Sequence, residues 1–256
     1  MAKLAEKAGW DGFFLWDHIY AHIMKEANVL DPWTILTAIA SHTKKIRIGT
    51  TVTPLSRMQP WEVAKKTATI DQLSNGRLIL GVALEADPKE DFVPFGVEDD
   101  AKIRGEMLDE IIEILQGLWS GEKFSFNGKH FHINDRQFLP KTIQQPRIPI
   151  WVGGTWPNKK PFRRAAKFDG VFPLKAGFEE PFTPKEYETI VAYIQKYRTQ
   201  EEPFDVVFTT YFNVHKDFNK VLTSYSKAGL NWFVECLDPW RGTLESFKEL
   251  ISNRPK

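Results

Sequence analysis

Short apolar segments of β-type composition alternate with segments of helical periodicity along almost the whole chain, and this alternation constrains the fold most. Each apolar segment leads through a short link into a helical pattern, which implies parallel strands joined by right-handed crossovers. A nearly continuous apolar run such as GFFLW is typical of a strand that is covered on both faces. The sequence predicts an α/β fold with strands at residues 12–16, 46–52, 77–82, 148–152, 170–173, 205–209 and 231–235.

The number of these strands favours a (β/α)8 barrel, the TIM-barrel architecture, from which the first β-strand is missing. A closed barrel has eight strand–helix pairs, whereas this chain offers seven, preceded by one helical segment at residues 2–8. We expect Met1 to be an internal methionine of a longer reading frame, with strands 12–16 and 231–235 flanking the gap. A doubly wound open sheet is the alternative, although no glycine-rich phosphate turn follows the first strand.

The alternation is interrupted once, in the middle of the chain. After a long amphipathic helix at residues 101–119, the segment FSFNGKHFHI carries a central Asn-Gly pair, which predicts a β-hairpin. We expect a small hairpin insertion at about residues 121–147 within a single domain over residues 1–256, because α/β barrels of this length form one unit.

Charge and cysteine content narrow the range of partners. The formal net charge of +1 gives no support for binding a nucleic acid or an anionic membrane surface. No apolar run is long enough to span a membrane. The one cysteine, Cys236, cannot form an intrachain disulfide, which fits a reducing compartment. The sequence therefore predicts a soluble cytoplasmic domain.

Polar residues follow several predicted strands, at the edge of a barrel where active sites lie. His18 is a candidate proton donor or acceptor whose tautomer Asp17 could fix; alternatively, Asp17 caps the loop and His18 packs. The segment around Thr51 and Val52 could line the edge of an amide-rich ring. On spacing alone, the ordinary β-propensity of Thr and Val is the better explanation of that segment.

Gly153, Gly154 and Thr155 predict a phosphate-binding loop. Two glycines let a ligand approach the backbone closely, and the start of the following helix supplies free amides and a favourable dipole. A plain loop is the alternative, because Gly-Gly pairs are common. His130 and His132 share one face of the predicted hairpin, but the sequence offers no further ligands near them, so we expect no metal site.

Longer residue strings point to a family. AEKAGWDGFFLWDH, IRIGTTVTPL, LSNGRLILGV and RIPIWVGGTWPN resemble, in this order, successive signatures of the luciferase-like monooxygenases, which are flavin-dependent oxidoreductases. GLNWFVECLDPWRG resembles a stretch that is typical of one branch of this family. The resemblance runs over nearly the whole chain.

The resemblance implies an enzyme that uses reduced FMN, or the deazaflavin coenzyme of some relatives, to oxidise or oxygenate a small organic substrate. It implies a flavin ring on Thr51 and Val52, where relatives often have a non-proline cis peptide. It also implies a phosphate on the Gly153–Gly154–Thr155 segment. His18 matches the active-site histidine of the family. A homodimer, and a flavin reductase as partner, are expected by the same analogy.

The chain departs from the family pattern in two places. The arginine that helps luciferase-like proteins hold phosphate is absent, and Leu84 and Glu85 stand in its place. The opening strand of the family is absent as well. Because the missing strand could cost activity, a non-catalytic flavin-binding subunit is one alternative function. A barrel hydrolase is another, which the lack of metal-ligand clusters in the sequence disfavours. Cofactor binding without substrate-dependent oxidation would indicate the first of these, and a metal assay tests the second.

Overall fold

The computed structural model describes residues 1–20, 28–84, 88–176, 181–211 and 217–254, so that Glu85 lies outside the described residues. The chain divides into two compact units, the N-terminal unit, Ala2–Pro149, and the C-terminal unit, Ile150–Lys256. Within each unit, parallel strands alternate with helices, which confirms the predicted α/β class.

The N-terminal unit combines a parallel sheet with helices and a hairpin. β1 pairs with β2, β2 pairs with β4, and the short β3 also pairs with β4, all in parallel. These strands stand in chain order, without the reversal that marks a doubly wound sheet. Two 3₁₀ helices, Leu55–Arg57 and Val93–Phe95, lie between the elements. The elements are α1 (Ala2–Ala8), β1 (Gly12–Leu15), α2 (Pro32–His42), β2 (Arg47–Thr50), β3 (Thr53–Pro54), α3 (Pro60–Ser74), β4 (Leu78–Ala83), α4 (Pro88–Asp91), α5 (Ala101–Trp119), β5 (Lys123–Asn127) and β6 (His132–Gln137).

The C-terminal unit continues the alternation. Its strands pair in parallel and in chain order, from β7 through β8 and β9 to β10. All seven strands that the sequence predicts are therefore present among the described residues. The elements are β7 (Ile150–Trp156), α6 (Lys159–Ala165), β8 (Gly170–Lys175), α7 (Pro184–Gln195), β9 (Asp205–Thr210), α8 (Phe218–Lys227), β10 (Trp232–Glu235) and α9 (Leu244–Ser252).

Local signals set the helix ends of the N-terminal unit. Asp31 caps α2 by accepting a hydrogen bond from the Thr34 N–H, and Pro32 takes the first helical position, where its missing N–H costs nothing. Asn75 ends α3 in the left-handed conformation with φ 57°, and Gly76 follows with φ 76°. Because Asn and Gly tolerate this conformation best, the pair turns the chain directly into β4.

A buried arginine joins the helices to the sheet at the entrance of β4. Arg77 is only 7% exposed. Its guanidinium donates five hydrogen bonds to oxygen atoms of Ala40, Thr43, Ile46 and Ser74. Every N–H of this buried cation therefore has an acceptor, as burial of a charge requires.

The predicted hairpin is present as the antiparallel pair β5–β6. The carboxylate of Glu110 on α5 accepts hydrogen bonds from the backbone N–H groups of Lys129, His130 and Phe131, which fastens the hairpin tip to the helix. His130 Nε2 lies 3.3 Å from Glu106 Oε2. In the described ranges, no group of three or more His, Cys, Asp or Glu residues could hold a metal ion. None of the described helices combines the length and the hydropathy that a membrane span requires.

Candidate active site

A group of ionisable side chains, here called the N-terminal network, comprises the buried Asp17, Arg57 and Asp91 and the partly exposed His18. Arg57 forms ion pairs with both carboxylates, one with Asp17 and one with Asp91, in which Nη1 and Oδ2 are 3.1 Å apart. The exposed fractions of the Arg57, Asp17 and Asp91 side chains are 6%, 3% and 2%. Removal of Arg57 or of either carboxylate would leave a buried charge without its counter-charge, which is unfavourable. The ion pairs therefore hold these three side chains in place.

The network lies where strands of the N-terminal unit end. Asp17 follows β1, Arg57 ends the 3₁₀ helix after β3, and Asp91 ends α4 after β4. The Thr53 hydroxyl donates a hydrogen bond to Asp17 over 2.8 Å, and the Trp33 indole N–H donates to the same oxygen over 3.1 Å. The carboxyl ends of parallel strands are the edge at which α/β proteins place their reactive groups.

His18 faces Asp91. Its Nδ1 lies 3.7 Å from Asp91 Oδ2, and 30% of the imidazole side chain is exposed. Asp91 also accepts hydrogen bonds from the backbone N–H groups of Ile19 and Tyr20, over 2.9 and 2.7 Å. The expectation that Asp17 fixes the His18 tautomer is therefore wrong as to the partner. Asp17 bonds to three other groups, and Asp91 is the carboxylate beside the imidazole.

The pKa of Asp91 is lowered. Burial by itself raises this pKa, but the neighbouring His18 imidazole, the hydrogen bond from the Tyr20 N–H and the positive charge of Arg57 together outweigh the burial. Asp91 is therefore ionised at neutral pH. A carboxylate beside Nδ1 favours the tautomer that carries its proton on this atom, which leaves Nε2 as the acceptor.

The predicted ring-binding residues Thr51 and Val52 lie between β2 and β3, directly after the strand that pairs with β1. Leu15 and Thr50 are partners in the β1–β2 register, and the Thr51 N–H donates to the Leu15 carbonyl over 2.9 Å. The Thr51–Val52 peptide is cis, as the resemblance implies. Trp16 is 40% exposed, and its ring centroid is 6.1 Å from that of His18 in an edge-on arrangement. The N-terminal unit thus brings His18, Thr51 and Val52 to one edge, together with an exposed indole.

Gly153, Gly154 and Thr155 belong to the C-terminal unit, and the loop predicted for them is wrong. All three residues lie inside β7 and pair with β8. A Cβ atom on Gly154 would stand 2.2 Å from Cβ of Pro161, so the close packing of α6 on β7 requires this glycine. The short α6, with the sequence KKPFRRA, contains four basic residues and no acidic one.

A second polar group, here called the C-terminal cluster, lies at the carboxyl ends of β9 and β10. The Tyr211 hydroxyl donates to the buried Asp238, and Arg241 forms an ion pair with Glu235. The Arg241 guanidinium carbon is 4.4 Å from the Tyr211 ring centroid. Burial and the Asp238 carboxylate raise the pKa of Tyr211, so this phenol carries its proton at neutral pH.

Cys236 lies beside the C-terminal cluster and carries no nucleophilic thiolate. Burial raises its pKa to about 12, with the carboxylates of Asp238 and Glu235 adding to the effect. Since the thiolate is the reactive form, this cysteine is inert at neutral pH.

The sequence pointed to His18, Thr51 and Val52 but did not reveal Arg57, Asp91 or the C-terminal cluster. Arg57 and Asp91 stand in short helices between the predicted elements, where periodicity gives no signal. Arg57 and Asp91 could have been predicted from their position, because both follow strands whose carboxyl ends lie at the same edge of the sheet.

Comparisons with known proteins were consistent with one family. The family model described as luciferase-like monooxygenase matches residues 1–252. The F420-dependent glucose-6-phosphate dehydrogenase of Microbacterium testaceum is 34% identical over 158 residues, which cover 60% of this chain and 45% of that protein. The oxygenase component of the flavin-dependent trigonelline monooxygenase of Acinetobacter baylyi is 31% identical over 186 residues, 70% of this chain and 49% of that protein. The chain thus spans about half the length of these two relatives.

One solved structure has a similar fold over nearly the whole length of this chain. The F420-dependent secondary alcohol dehydrogenase in complex with an F420-acetone adduct superposes with a TM-score of 0.75 and 18% identity. The match covers 99% of this chain and 93% of that one. At this identity the likeness shows a shared fold.

Proposed function

The chain belongs to the luciferase-like monooxygenase family, and on this premise we propose that it is a flavin-dependent oxidoreductase or monooxygenase that acts on a small organic substrate. One observation carries the proposal. His18 is partly exposed, lies beside the ionised Asp91, and stands at the same edge of the sheet as Thr51 and Val52. A titratable group held next to a candidate ring-binding strand suits proton transfer during a redox reaction.

FMN is the proposed cofactor, on the family resemblance and on features of each unit taken separately. The indole of Trp16 and the side chain of Val52 offer apolar surface for a planar ring. The backbone of Gly153 to Thr155, followed by the basic α6, suits a phosphate. When bound, the flavin supplies the electron-transfer chemistry, and the oxygen chemistry if oxygen is a co-substrate.

A deazaflavin coenzyme is the second candidate. The relative from Microbacterium testaceum is F420-dependent by name, and its identity to this chain, 34%, is similar to the 31% of the flavin-dependent relative. Leu84 stands where the resemblance places a phosphate-binding arginine, and the loss of that arginine weakens the case for FMN. The identity of the cofactor therefore has to be decided by binding.

In the proposed reaction, His18 transfers one proton, and the other residues of the N-terminal network position its imidazole. His18 would accept or donate the proton at Nε2, while Asp91 holds Nδ1 and stabilises the imidazolium when it forms. Arg57 keeps Asp91 and Asp17 in place through its two ion pairs, and its positive charge helps to lower the pKa of Asp91. Positioning of this kind, with the cofactor carrying the redox step, is the usual division of labour in cofactor enzymes.

The remaining parts of the proposal follow from family analogy. We propose a homodimer in the cytoplasm and, for an FMN-dependent reaction, a flavin reductase that supplies the reduced cofactor. Each of these is open to direct measurement, by sedimentation, by localisation and by reconstitution with a reductase.

An activity screen tests the proposed function. The purified chain is mixed with reduced FMN and oxygen, or with the oxidised deazaflavin coenzyme, and with a panel of alcohols, sugar phosphates and heteroaromatic acids, while cofactor absorbance is recorded. We expect a substrate-dependent rate with one cofactor. Cofactor binding without any substrate-dependent rate would indicate the non-catalytic subunit instead.

A further inference from the structure

Arg57, Arg77 and Arg104 are buried arginine side chains of the N-terminal unit, and the first two have oxygen partners that compensate their charge. Arg57 contacts two carboxylates, and Arg77 donates five hydrogen bonds. Arg104 lies in the first turn of α5 and is only 3% exposed. Because a guanidinium keeps its proton at physiological pH, its burial has to be compensated by acceptors or by a counter-anion.

Arg104 lacks this compensation. In the described part of the chain, no acceptor makes a hydrogen bond with Arg104 Nε or Nη1. The guanidinium carbon lies 5.5 Å from the ring centroid of Phe92, a residue with no exposed surface. A ring face attracts a cation but does not replace the oxygen acceptors that Arg77 has. Arg104 therefore presents a buried positive charge whose Nε and Nη1 atoms leave three N–H donors unused.

A second unused polar group lies on a neighbouring element. Among the described residues, the buried Ser56 Oγ also has no hydrogen-bond partner. Ser56 belongs to the 3₁₀ helix Leu55–Arg57, which packs against α5. It precedes Arg57 in the sequence, and Phe92 follows Asp91. Both unused groups thus lie on or against elements that contribute to the N-terminal network, since the 3₁₀ helix of Ser56 ends at Arg57 and Phe92 follows Asp91.

We propose that Arg104 and Ser56 bind an oxyanion, the phosphate or carboxylate group of a ligand that sits beside the N-terminal network. The guanidinium would supply charge and N–H donors, and the serine hydroxyl would supply one O–H donor. This inference does not depend on the proposed reaction, since it concerns only the binding of an anionic group. That group belongs either to the substrate, which is then an organic acid or a phosphate ester, or to the cofactor.

The experiment compares Arg104→Met with Arg77→Met in the full chain, with inorganic phosphate as the probe and chloride at equal ionic strength as the blank. We expect the Tm of the unsubstituted chain to rise by about 3 °C at a phosphate concentration ten times Kd. Arg104→Met should abolish this rise without lowering the Tm in chloride, because it removes a buried charge that has no partner. Arg77→Met should lower the Tm in both buffers and keep the phosphate-induced rise.

A second variant and a second ligand pair complete the test. Ser56→Ala should reduce the phosphate-induced rise and leave the Tm in chloride unchanged.

FMN and riboflavin differ only in the phosphate. If Arg104→Met weakens FMN at least tenfold and spares riboflavin, the site holds the phosphate of the cofactor. Equal affinities for FMN would assign the site to an acidic group of the substrate.

Two results would overturn the inference. The first is the absence of any phosphate-induced rise in the Tm of the unsubstituted chain. The second is an Arg104→Met chain that is destabilised like Arg77→Met and still responds to phosphate, which would make Arg104 a structural counter-charge for Asp91. Both results are Tm measurements with inorganic phosphate as the only ligand, so they test the anion site even if the chain binds no flavin.

Discussion

The imidazole of His18 is the group on which the proposed chemistry depends, and its surroundings explain why a neutral-pH proton transfer is feasible there. Asp91 is held ionised by Arg57 and by backbone N–H donors, so a negative charge faces Nδ1 throughout the neutral range. The ring is partly exposed, so a bound ligand can reach it. A buried carboxylate that orients a partly exposed imidazole is a common arrangement for acid–base catalysis.

His18→Ala is expected to lower turnover by about 100-fold or more and to leave cofactor affinity unchanged, because general acid–base catalysis contributes on this scale. The measurement is a comparison of kcat with the Kd of the cofactor for both chains. His42→Ala, at an exposed position of α2, is the matched control and should retain full activity. Equal kcat in His18→Ala would remove His18 from the mechanism.

Asp91→Asn tests the role of the buried carboxylate in stability. The pKa of Asp91 in the folded chain lies below its value in the unfolded chain, so its contribution is present above about pH 4 and is lost as pH falls through the folded pKa. We expect the variant to lose about 3 kcal/mol of unfolding free energy at pH 7, since a buried pair is broken. The difference between the two chains should shrink between about pH 5 and pH 2.

Urea unfolding at several pH values provides the measurement for Asp91→Asn. Glu62→Gln, at an exposed position on α3, is the control and should leave the profile almost unchanged. A difference that stays constant from pH 7 to pH 2 would show that the ionisation of Asp91 does not stabilise the fold.

Cys236 should be nearly inert toward a thiol reagent. With a pKa raised to about 12, its reaction with an aromatic disulfide at pH 8 should be on the order of 100-fold slower in the folded chain than in urea. Absorbance of the released thiolate measures both rates. Similar rates in the two states would mean that the thiol is neither buried nor surrounded by negative charge.

At the scale of elements, the glycine pair in β7 is explained by helix packing and not by a ligand-binding loop. The sequence suggested a loop because two glycines follow an apolar run, yet the strand continues through Gly153 and Gly154 to Trp156. The reason is the contact between Gly154 and Pro161, which brings α6 close to the strand. A contact of this kind depends on a residue seven positions further on, so no local pattern could reveal it.

A double-mutant cycle separates packing from phosphate binding at this strand. Gly154→Ala should destabilise the chain by about 2 kcal/mol, because its Cβ collides with Pro161. Pro161→Gly removes the atoms in the way, so the double variant should recover at least about 1 kcal/mol relative to the sum of the single changes. If the losses of the two single variants simply add in the double variant, as measured by thermal unfolding, the packing role of Gly154 is contradicted.

FMN affinity is measured in the same double variant. If it binds FMN weakly although its stability is restored, Gly154 also contributes to phosphate binding.

At the scale of the whole molecule, the sequence predicted the order and type of elements well. All seven strands and the helix at Ala101–Trp119 agree with the apolar periodicity, because each buries a face that leaves a regular pattern. The polar groups were harder to predict. Asp17, Arg57 and Asp91 meet only because separate strand ends converge, and such contacts leave no periodic signal. His18 was found because it directly follows a strand.

A cofactor titration of the purified chain tests the central claim most directly. Fluorescence is followed with reduced and oxidised FMN and with the deazaflavin coenzyme, in the unsubstituted chain and in Val52→Asp, while circular dichroism reports folding. We predict saturable binding of one cofactor with a Kd of about 10 μM or tighter, unchanged by His18→Ala and abolished by Val52→Asp without unfolding. Binding of neither cofactor to the folded chain would contradict the claim that it is a flavin-type oxidoreductase.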